Sequence, residues 1–374
     1  MPIRKTRKKS SAKITLPTDT ELVGIVFHVS PASNYTIFPE YAKGLHAWFL
    51  NQVRQTNPQL STYLHDGESE KPFTISRLQG KLLSNDAKLQ LSADSNYQWY
   101  LSALSSRLVE WMADWLQNLP QTIELRNAPL QIKSVQIAHP ATSYKQLLES
   151  KLNNKLKNTF SLSYITPTSF RRKKHHFPLP LPFNIFQSYL RRWNDFSNLP
   201  VEADAFLEWV DENVIIQRHD ISTTRVAGGK RGLVTGFTGA VEFGLSKDAS
   251  KEPEYVNLYR ALGKLAPYCG TGHKTTFGLG QTRLGWLIEE YDKVEVTSPQ
   301  ELLANRIAQI TEILMSKQKR TGGSRAISVC EKRAAIMARR ETGESLQDIA
   351  TDLDIPYETV KTYVKLTRKI LANG

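Results

Sequence analysis

Strand-like and helix-like segments alternate through the first 290 or so residues in two successive rounds, and that order restricts the chain to helices layered on sheets. In the first round Leu22–Val29, apolar but for His28, is expected as a buried strand. Glu40–Gln55 carries Tyr41, Leu45, Phe49 and Val53 at helical spacing. Strands are expected near Pro72–Leu78 and Gln98–Leu104, then an amphipathic helix over Ser105–Leu119 with Leu108, Trp111, Met112 and Trp115 on one side. Strands at Thr122–Leu125 and Leu130–Ile137 close the unit. The second round reads Phe160–Ile165 as a strand, Asn184–Asn194 and Ala203–Asn213 as helices, and Val214–Val226 and Leu233–Leu245 as two long strands. A helix at Tyr255–Ala266 and a short strand near Thr282–Trp286 complete it. The expected fold class is α+β, with tandem ferredoxin-like (βαββαβ-type) domains over 14–140 and 141–296, although no repeat is visible in the residues themselves.

Beyond Ser298 the pattern becomes all helix. Ser298-Pro299 opens a helix by its cap chemistry, with Leu302, Ile307, Ile310 and Leu314 on its apolar side. Lys317–Arg325, containing Gly322-Gly323, reads as a hinge, so that 297–325 is helix and linker and 326–374 a separate small all-α domain. Residues 1–13 read as a flexible basic arm.

With 40% hydrophobic and 23% charged residues in 374, the composition is that of a chain that folds in water. No stretch approaches the roughly 20 apolar residues of a membrane span, and the start lacks the apolar run of a secretory signal, so a cytoplasmic location and no membrane partner are expected. Cys269 and Cys330 are too few for a disulfide framework or a thiolate metal site, and two reduced thiols are expected. The net charge of +13 is segregated. Residues 1–13 carry six basic side chains and 151–193 carry nine, with no acid in either segment, whereas 14–150 and 194–300 together are net acidic. Such segregation fits a polyanionic partner better than charge spread for solubility.

The most specific local feature is Gly270-Thr-Gly272-His273-Lys274-Thr-Thr-Phe-Gly278-Leu-Gly280, between a helix and a strand. It is neither a dinucleotide fingerprint nor a P-loop, because His273 stands where Gly-Lys must be contiguous. Its glycines suit backbone contact with nucleic acid or, alternatively, bare turn geometry. The acid-free stretch Thr166–Pro180 contains Arg171, Arg172, Lys173 and Lys174, with Arg191-Arg192-Trp193 shortly after. Cations interleaved with aromatics suit single-stranded nucleic acid, where charges track phosphates and rings stack on bases; the alternative is a solvated loop. His175-His176 has no nearby carboxylate or thiolate to complete a metal site.

Tyr164–Phe170, the Pro178–Arg192 stretch, Thr235-Gly-Phe-Thr-Gly239 and the Gly270–Gly280 loop, in that order, resemble the CRISPR-associated endoribonucleases that process repeat RNA, the sixth Cas protein family. The resemblance spans roughly residues 20–290. It implies two ferredoxin-like domains of the repeat-associated mysterious protein type and RNA held on basic surface by Arg171, Arg172, Lys173, Lys174, Arg191, Arg192, His273, Lys274 and the backbone at Gly270, Gly272, Gly278 and Gly280. It further implies metal-free cleavage of precursor CRISPR RNA to mature guide RNA, no cofactor and no metal, with other CRISPR effector subunits as further partners. The family's histidine, shortly after the first helix, matches His65 in Asn57-Pro58-Gln-Leu-Ser-Thr-Tyr63-Leu-His65, and its accompanying lysine matches Lys71. The family's helix tyrosine falls on Leu50, so that two residues suffice, or His46 or Tyr63 substitutes, or cleavage is weak, or the protein binds repeat RNA without cutting it.

The residue types fit the chemistry on their own terms. Cutting RNA without metal requires moving the 2′-hydroxyl proton, stabilising charge on phosphorus and protonating the departing 5′-oxygen. An imidazole exchanges protons near neutrality, and an ammonium supplies fixed positive charge. Of the other histidines, His28, His139 and His219 are expected to be structural.

In the tail, Ser345-Leu-Gln-Asp348 is a capping box, followed by Ala350, Leu353 and Ile355, and then a helix opened by Pro356 with Val360 and Val364 inward. This resembles a helix-turn-helix of the sigma-factor and response-regulator kind, with Asp354 where the turn usually has glycine. In a DNA-reading version Thr359, Lys361, Thr362, Lys365 and Arg368 face the duplex; in the other version the unit is a three-helix module with a protein partner. A nucleic-acid-binding regulator acting through this tail is the remaining reading.

Overall fold

A computed structural model describes residues 14–65, 70–85, 88–126, 128–149, 159–173, 175–227, 233–287, 299–317 and 324–372. The expected arm at 1–13, Lys174, and residues 318–323 of the expected hinge lie outside the described residues.

The first unit comprises β1 (Leu22–Pro31), β2 (Tyr35–Ile37), α1 (Ala42–Thr56), α2 (Pro58–His65), β3 (Phe73–Ile75), β4 (Leu83–Asn85), β5 (Lys88–Leu91), β6 (Tyr97–Ala103), α3 (Ser106–Gln117), β7 (Thr122–Leu125), β8 (Ala128–Thr142) and α4 (Tyr144–Glu149). Its main sheet is antiparallel in the order β3-β6-β1-β8-β7. β1 is apolar on both faces because it is central, and Phe27 lies against Trp99 of β6 at 5.1 Å. The stripe on α3 behaves as its spacing predicts: Trp111 and Trp115 stack at 5.1 Å, and Trp115 packs on Phe27, Trp48 and Phe49.

The second unit comprises β9 (Phe160–Thr168), β10 (Phe170–Arg172), β11 (His175–Phe177), α5 (Pro182–Phe196), α6 (Ala203–Asn213), β12 (Val214–Ala227), β13 (Leu233–Leu245), α7 (Pro253–Cys269) and β14 (Thr282–Leu284). Its sheet runs β12-β13-β9-β14, also antiparallel. Taking in each unit only the four strands of the strand-helix-strand-strand-helix-strand path, both sheets place them in the order second, third, first, fourth. The tandem ferredoxin-like architecture is thus a repeat of topology with no repeat of residues. The two units meet through Thr74 donating to the Tyr268 carbonyl at 2.8 Å, Tyr268 donating to the Pro140 carbonyl at 2.8 Å, and Gln79 donating to Gln281 at 2.9 Å.

Four helices follow: α8 (Pro299–Ser316), α9 (Ser324–Glu341), α10 (Leu346–Leu353) and α11 (Tyr357–Leu371). Their core gathers Ile307, Ile310, Ala334, Ile349 and Val360, and it also takes Ala227 from the end of β12, with Leu233 packed alongside. Leu302, expected on the apolar side of α8, is 40% exposed; Leu303 is buried in its place. The Ser345 hydroxyl caps α10 by accepting from the Asp348 amide at 3.1 Å, and Asp354 takes φ +54, the left-handed turn position that glycine would favour.

These helices are also held to the first unit by charge. The Arg339 guanidinium is enclosed by Glu40 at 2.9 Å, Asp352 at 2.7 Å and Glu344. Burial alone would raise the Glu40 carboxyl, but Arg339, Lys43 and Arg77 outweigh it and hold the group below its ordinary value. Arg126 reaches Asp352 at 2.7 Å and Glu344 at 3.3 Å from a more exposed position. Removing Arg339 would leave Glu40 to Lys43, and Glu344 and Asp352 to the more exposed Arg126, so Arg339→Met should cost up to about 3–5 kcal/mol in urea unfolding. Arg126→Ala, from a side chain 40% exposed, should cost no more than about 1 kcal/mol.

Candidate active site

The glycine-rich loop is positioned by packing. α7 ends where Gly270 adopts φ +62, and Gly272, Gly278 and Gly280 also take positive φ. A Cβ on Gly272 would run into the Ser169 carbonyl, and one on Gly280 into that of Thr271. The amides of Gly270, Gly272 and Gly280 donate to the Ala266 carbonyl at 2.9 Å, the Ser188 hydroxyl at 2.9 Å and the Pro167 carbonyl at 3.1 Å. The expectation that these three amides grip phosphate is corrected: their hydrogen bonds are used inside the protein, and the glycines allow close backbone approach.

Arg192 needs a similar correction. Expected as a surface cation, it is 3% exposed and donates to the Ser188 carbonyl at 2.8 Å, the Ser188 hydroxyl at 2.7 Å and the Gly272 carbonyl at 2.8 Å. Its guanidinium braces the loop from α5. Arg191, one residue earlier and so rotated by about 100° on the helix, is exposed.

The braced loop projects a turn, Thr275–Phe277, onto α1 of the first unit. There His46 Nδ1 lies 2.9 Å from the Thr276 carbonyl. A carbonyl only accepts, so Nδ1 carries the proton and Nε2 keeps its lone pair. The ring stacks on Phe277 at 4.3 Å and meets Phe73 at 5.7 Å. Burial pushes the His46 pKa down to about 4; the Thr276 bond opposes this, and the nearby charges of His65 and Lys71 reinforce it. The three residues therefore share one electrostatic neighbourhood. His65 is exposed at the end of α2. Lys71 is half-buried beside Glu70, whose amide donates to Asp195 at 3.3 Å and whose carboxylate faces Arg191 at 3.3 Å and Arg192 at 3.5 Å. Leu50 is buried in the core one turn beyond His46, and Tyr63 lies beneath the Arg107 guanidinium at 5.0 Å.

A cleft of about 540 Å³ runs from Thr276, the partner of His46, along Lys71, Arg191, His273 and Lys274, with Glu70 and Asp195 also on its wall. Lys274 is half-buried in a left-handed conformation, φ +63. Its ammonium is lowered to about 8, by burial above all and also by the charges of Arg171 and Lys43, with Glu40 opposing them. His273 Nδ1 donates to the Ser169 carbonyl at 2.8 Å, its ring stacks on His176 at 5.1 Å, and burial lowers its pKa to about 4. Beyond it the β10–β11 hairpin presents Arg171, Arg172 and Lys173, all exposed, with Arg172 over Phe177 at 5.4 Å. On α11, well outside this cleft, Lys361, Thr362, Lys365 and Arg368 are exposed and Thr359 is half-buried. Sequence reasoning missed Thr276, Phe277, Lys43 and Glu70. The first acts through a backbone carbonyl and carries no signal, whereas Phe277, the aromatic inside the glycine-rich loop, was visible.

Two ferredoxin-like units with a cationic cleft and a histidine-lysine cluster at their junction define a class of basic, tandem ferredoxin-like proteins. Residues 23–152 match the CRISPR Cas6 N-terminal domain, and residues 162–282 match the CRISPR-associated endoribonuclease Cas6 family. The chain belongs to the Cas6 family. A Streptococcus thermophilus protein named CRISPR-associated endoribonuclease Cas6 is 24% identical over 236 residues, covering 62% of this chain and 87% of that one. Among solved structures, a Cas6 product complex is 26% identical with a TM-score of 0.55, covering 71% of this chain and 99% of the other. A Thermus thermophilus Cas6 is 24% identical with a TM-score of 0.53, covering 71% and 99%.

Two outcomes follow from this geometry. His46 and His273 hold folded pKa values near 4, below the ordinary value of 6.5. As pH falls from 6.5 toward 4 the unfolded chain takes up protons that the folded chain refuses, so stability present above pH 6.5 is lost on acidification. Thermal unfolding should show that slope, shallower in His273→Asn. Gly272→Ala, at positive φ against a carbonyl, should destabilise by at least about 1–3 kcal/mol and lower RNA affinity along with it.

Proposed function

We propose that this chain cleaves precursor CRISPR RNA within its repeats by metal-independent transesterification, leaving 2′,3′-cyclic phosphate and 5′-hydroxyl ends. The observation that carries the reading is that Lys71 lines a cleft rich in cations together with Thr276, whose carbonyl holds His46, while the charges of His65 and Lys71 both bear on the His46 ring. His65, the solvent-facing imidazole, moves the protons. The 2′-hydroxyl gives up its proton, the 2′-oxygen attacks phosphorus in line, the bond from phosphorus to the 5′-oxygen breaks, and that oxygen is protonated as it leaves. Lys71, anchored through Glu70 to α5, meets the charge that builds on the phosphoryl oxygens. His46 stays neutral and offers its Nε2 lone pair as a second acceptor. Arg171, Arg172, Lys173, Arg191 and Lys274 track the phosphates, and a phosphate beside Lys274 would restore the ammonium that burial weakens. The partners on this reading are precursor and mature guide RNA and other CRISPR effector subunits, in the cytoplasm, with no cofactor.

A second reading, a guide-RNA-binding subunit that does not cut, is favoured by Leu50, a buried aliphatic side chain where the family resemblance calls for tyrosine. One assay separates them. Repeat RNA should be cut in the presence of EDTA, with the rate reduced about 10²–10⁴-fold in His65→Ala and repeat binding retained. Loss of cutting with EDTA, or an unchanged rate in His65→Ala, overturns the proposed mechanism. Tight binding by the wild-type protein with no product selects the second reading.

A further inference from the structure

We propose that the C-terminal helical unit binds duplex DNA through the exposed face of α11, as a site separate from the RNA cleft. Three observations carry this. First, α9, α10 and α11 form a compact unit with a short left-handed turn at Asp354, and Val360, Val364 and Thr367 point α11 into its core. That fixes which side of α11 faces out. Lys361, Lys365 and Arg368 lie at intervals of four and three residues, so they form one stripe, and Thr362, Leu366 and Lys369 form the neighbouring one; all six are exposed.

Second, charge is sorted between the two sides of the unit. The carboxylates that would repel phosphate, Glu344, Asp348 and Asp352, are turned to the first unit and engaged by Arg126, with Arg339 neutralising Glu344 and Asp352 from within. On α11 the acidic Glu358 is paired with Lys361 at 3.7 Å. Against Glu358 and the exposed Asp354 of the turn, α11 presents Lys361, Lys365, Arg368 and Lys369, an excess of positive charge. Third, the shape suits one polyanion. A helix of 15 residues packed by one side on α9 and α10 with its other side exposed fits the wide major groove of B-form DNA, whereas the deep, narrow major groove of duplex RNA does not admit it. The N-terminal turns of α11, with Tyr357, Lys361 and Thr362 exposed, would meet base edges, while Lys365, Arg368 and Lys369 would follow the phosphates.

The test uses the full chain and a random-sequence DNA duplex, with binding followed by fluorescence anisotropy over a salt series. Wild-type protein should bind with an affinity that falls steeply with salt. The triple variant Lys361→Ala, Lys365→Ala, Arg368→Ala changes only exposed positions and should keep its circular dichroism and its binding of repeat RNA. It should lose tenfold or more in DNA affinity, and its log–log salt slope should flatten by about 3, near 0.9 per lost contact. DNA affinity unchanged in the variant would assign the binding to another surface and overturn the proposal. An equal loss for repeat RNA would make α11 part of the RNA path, and no measurable DNA binding by the wild type would point to a protein partner; either result overturns it too.

Discussion

The contact on which the site depends is a single buried guanidinium. Arg192 reaches from α5 to the carbonyl of Gly272 and to Ser188, whose hydroxyl receives the Gly272 amide in turn. A charged group this deeply enclosed is tolerated because acceptors surround it and Glu70 stands 3.5 Å away. Through this brace the second unit holds out a rigid turn, and the turn sets the tautomer and ring plane of His46 in the first unit. The site is a property of the junction: neither unit alone carries both the imidazole and the carbonyl that orients it.

Electrostatics follow the same division of labour. Inside the junction the imidazoles of His46 and His273 are kept uncharged by burial, and apart from the enclosed Arg192 the cations of the cleft stand on the rim and on the β10–β11 hairpin, with a further set on α11. Lys274 stands between these regimes. It lies near Glu40, and Glu40 also receives Arg339 from α9. The helical extension and the cleft thus share one carboxylate, a link that neither element shows when taken alone.

Much of the architecture was legible because its periodicities were long and cleanly bounded: α6 at Ala203–Asn213 and β13 at Leu233–Leu245 fall where their patterns place them. α2 escaped notice because eight residues opening on Pro58, with only Leu60 and Leu64 as apolar anchors, look like a loop in one dimension. The three-stranded β2-β5-β4 sheet is too short to show alternation. At the site, Arg191 and Arg192 are the same residue type in adjacent positions, and composition cannot say which faces water; a turn of helix decides it. The glycine-rich loop was legible as a place that demands glycine. Its purpose was not, because which atoms lie across from an absent Cβ is a fact of tertiary packing.

The facing ends of β12 and β13 reach the α8–α11 bundle, whose core includes Ala227 with Leu233 packed against it. Without that bundle Ala227 and Leu233 would lose their apolar cover and Glu40 would lose Arg339. The extension is therefore coupled to both units, and trimming it away would cost stability in each of them.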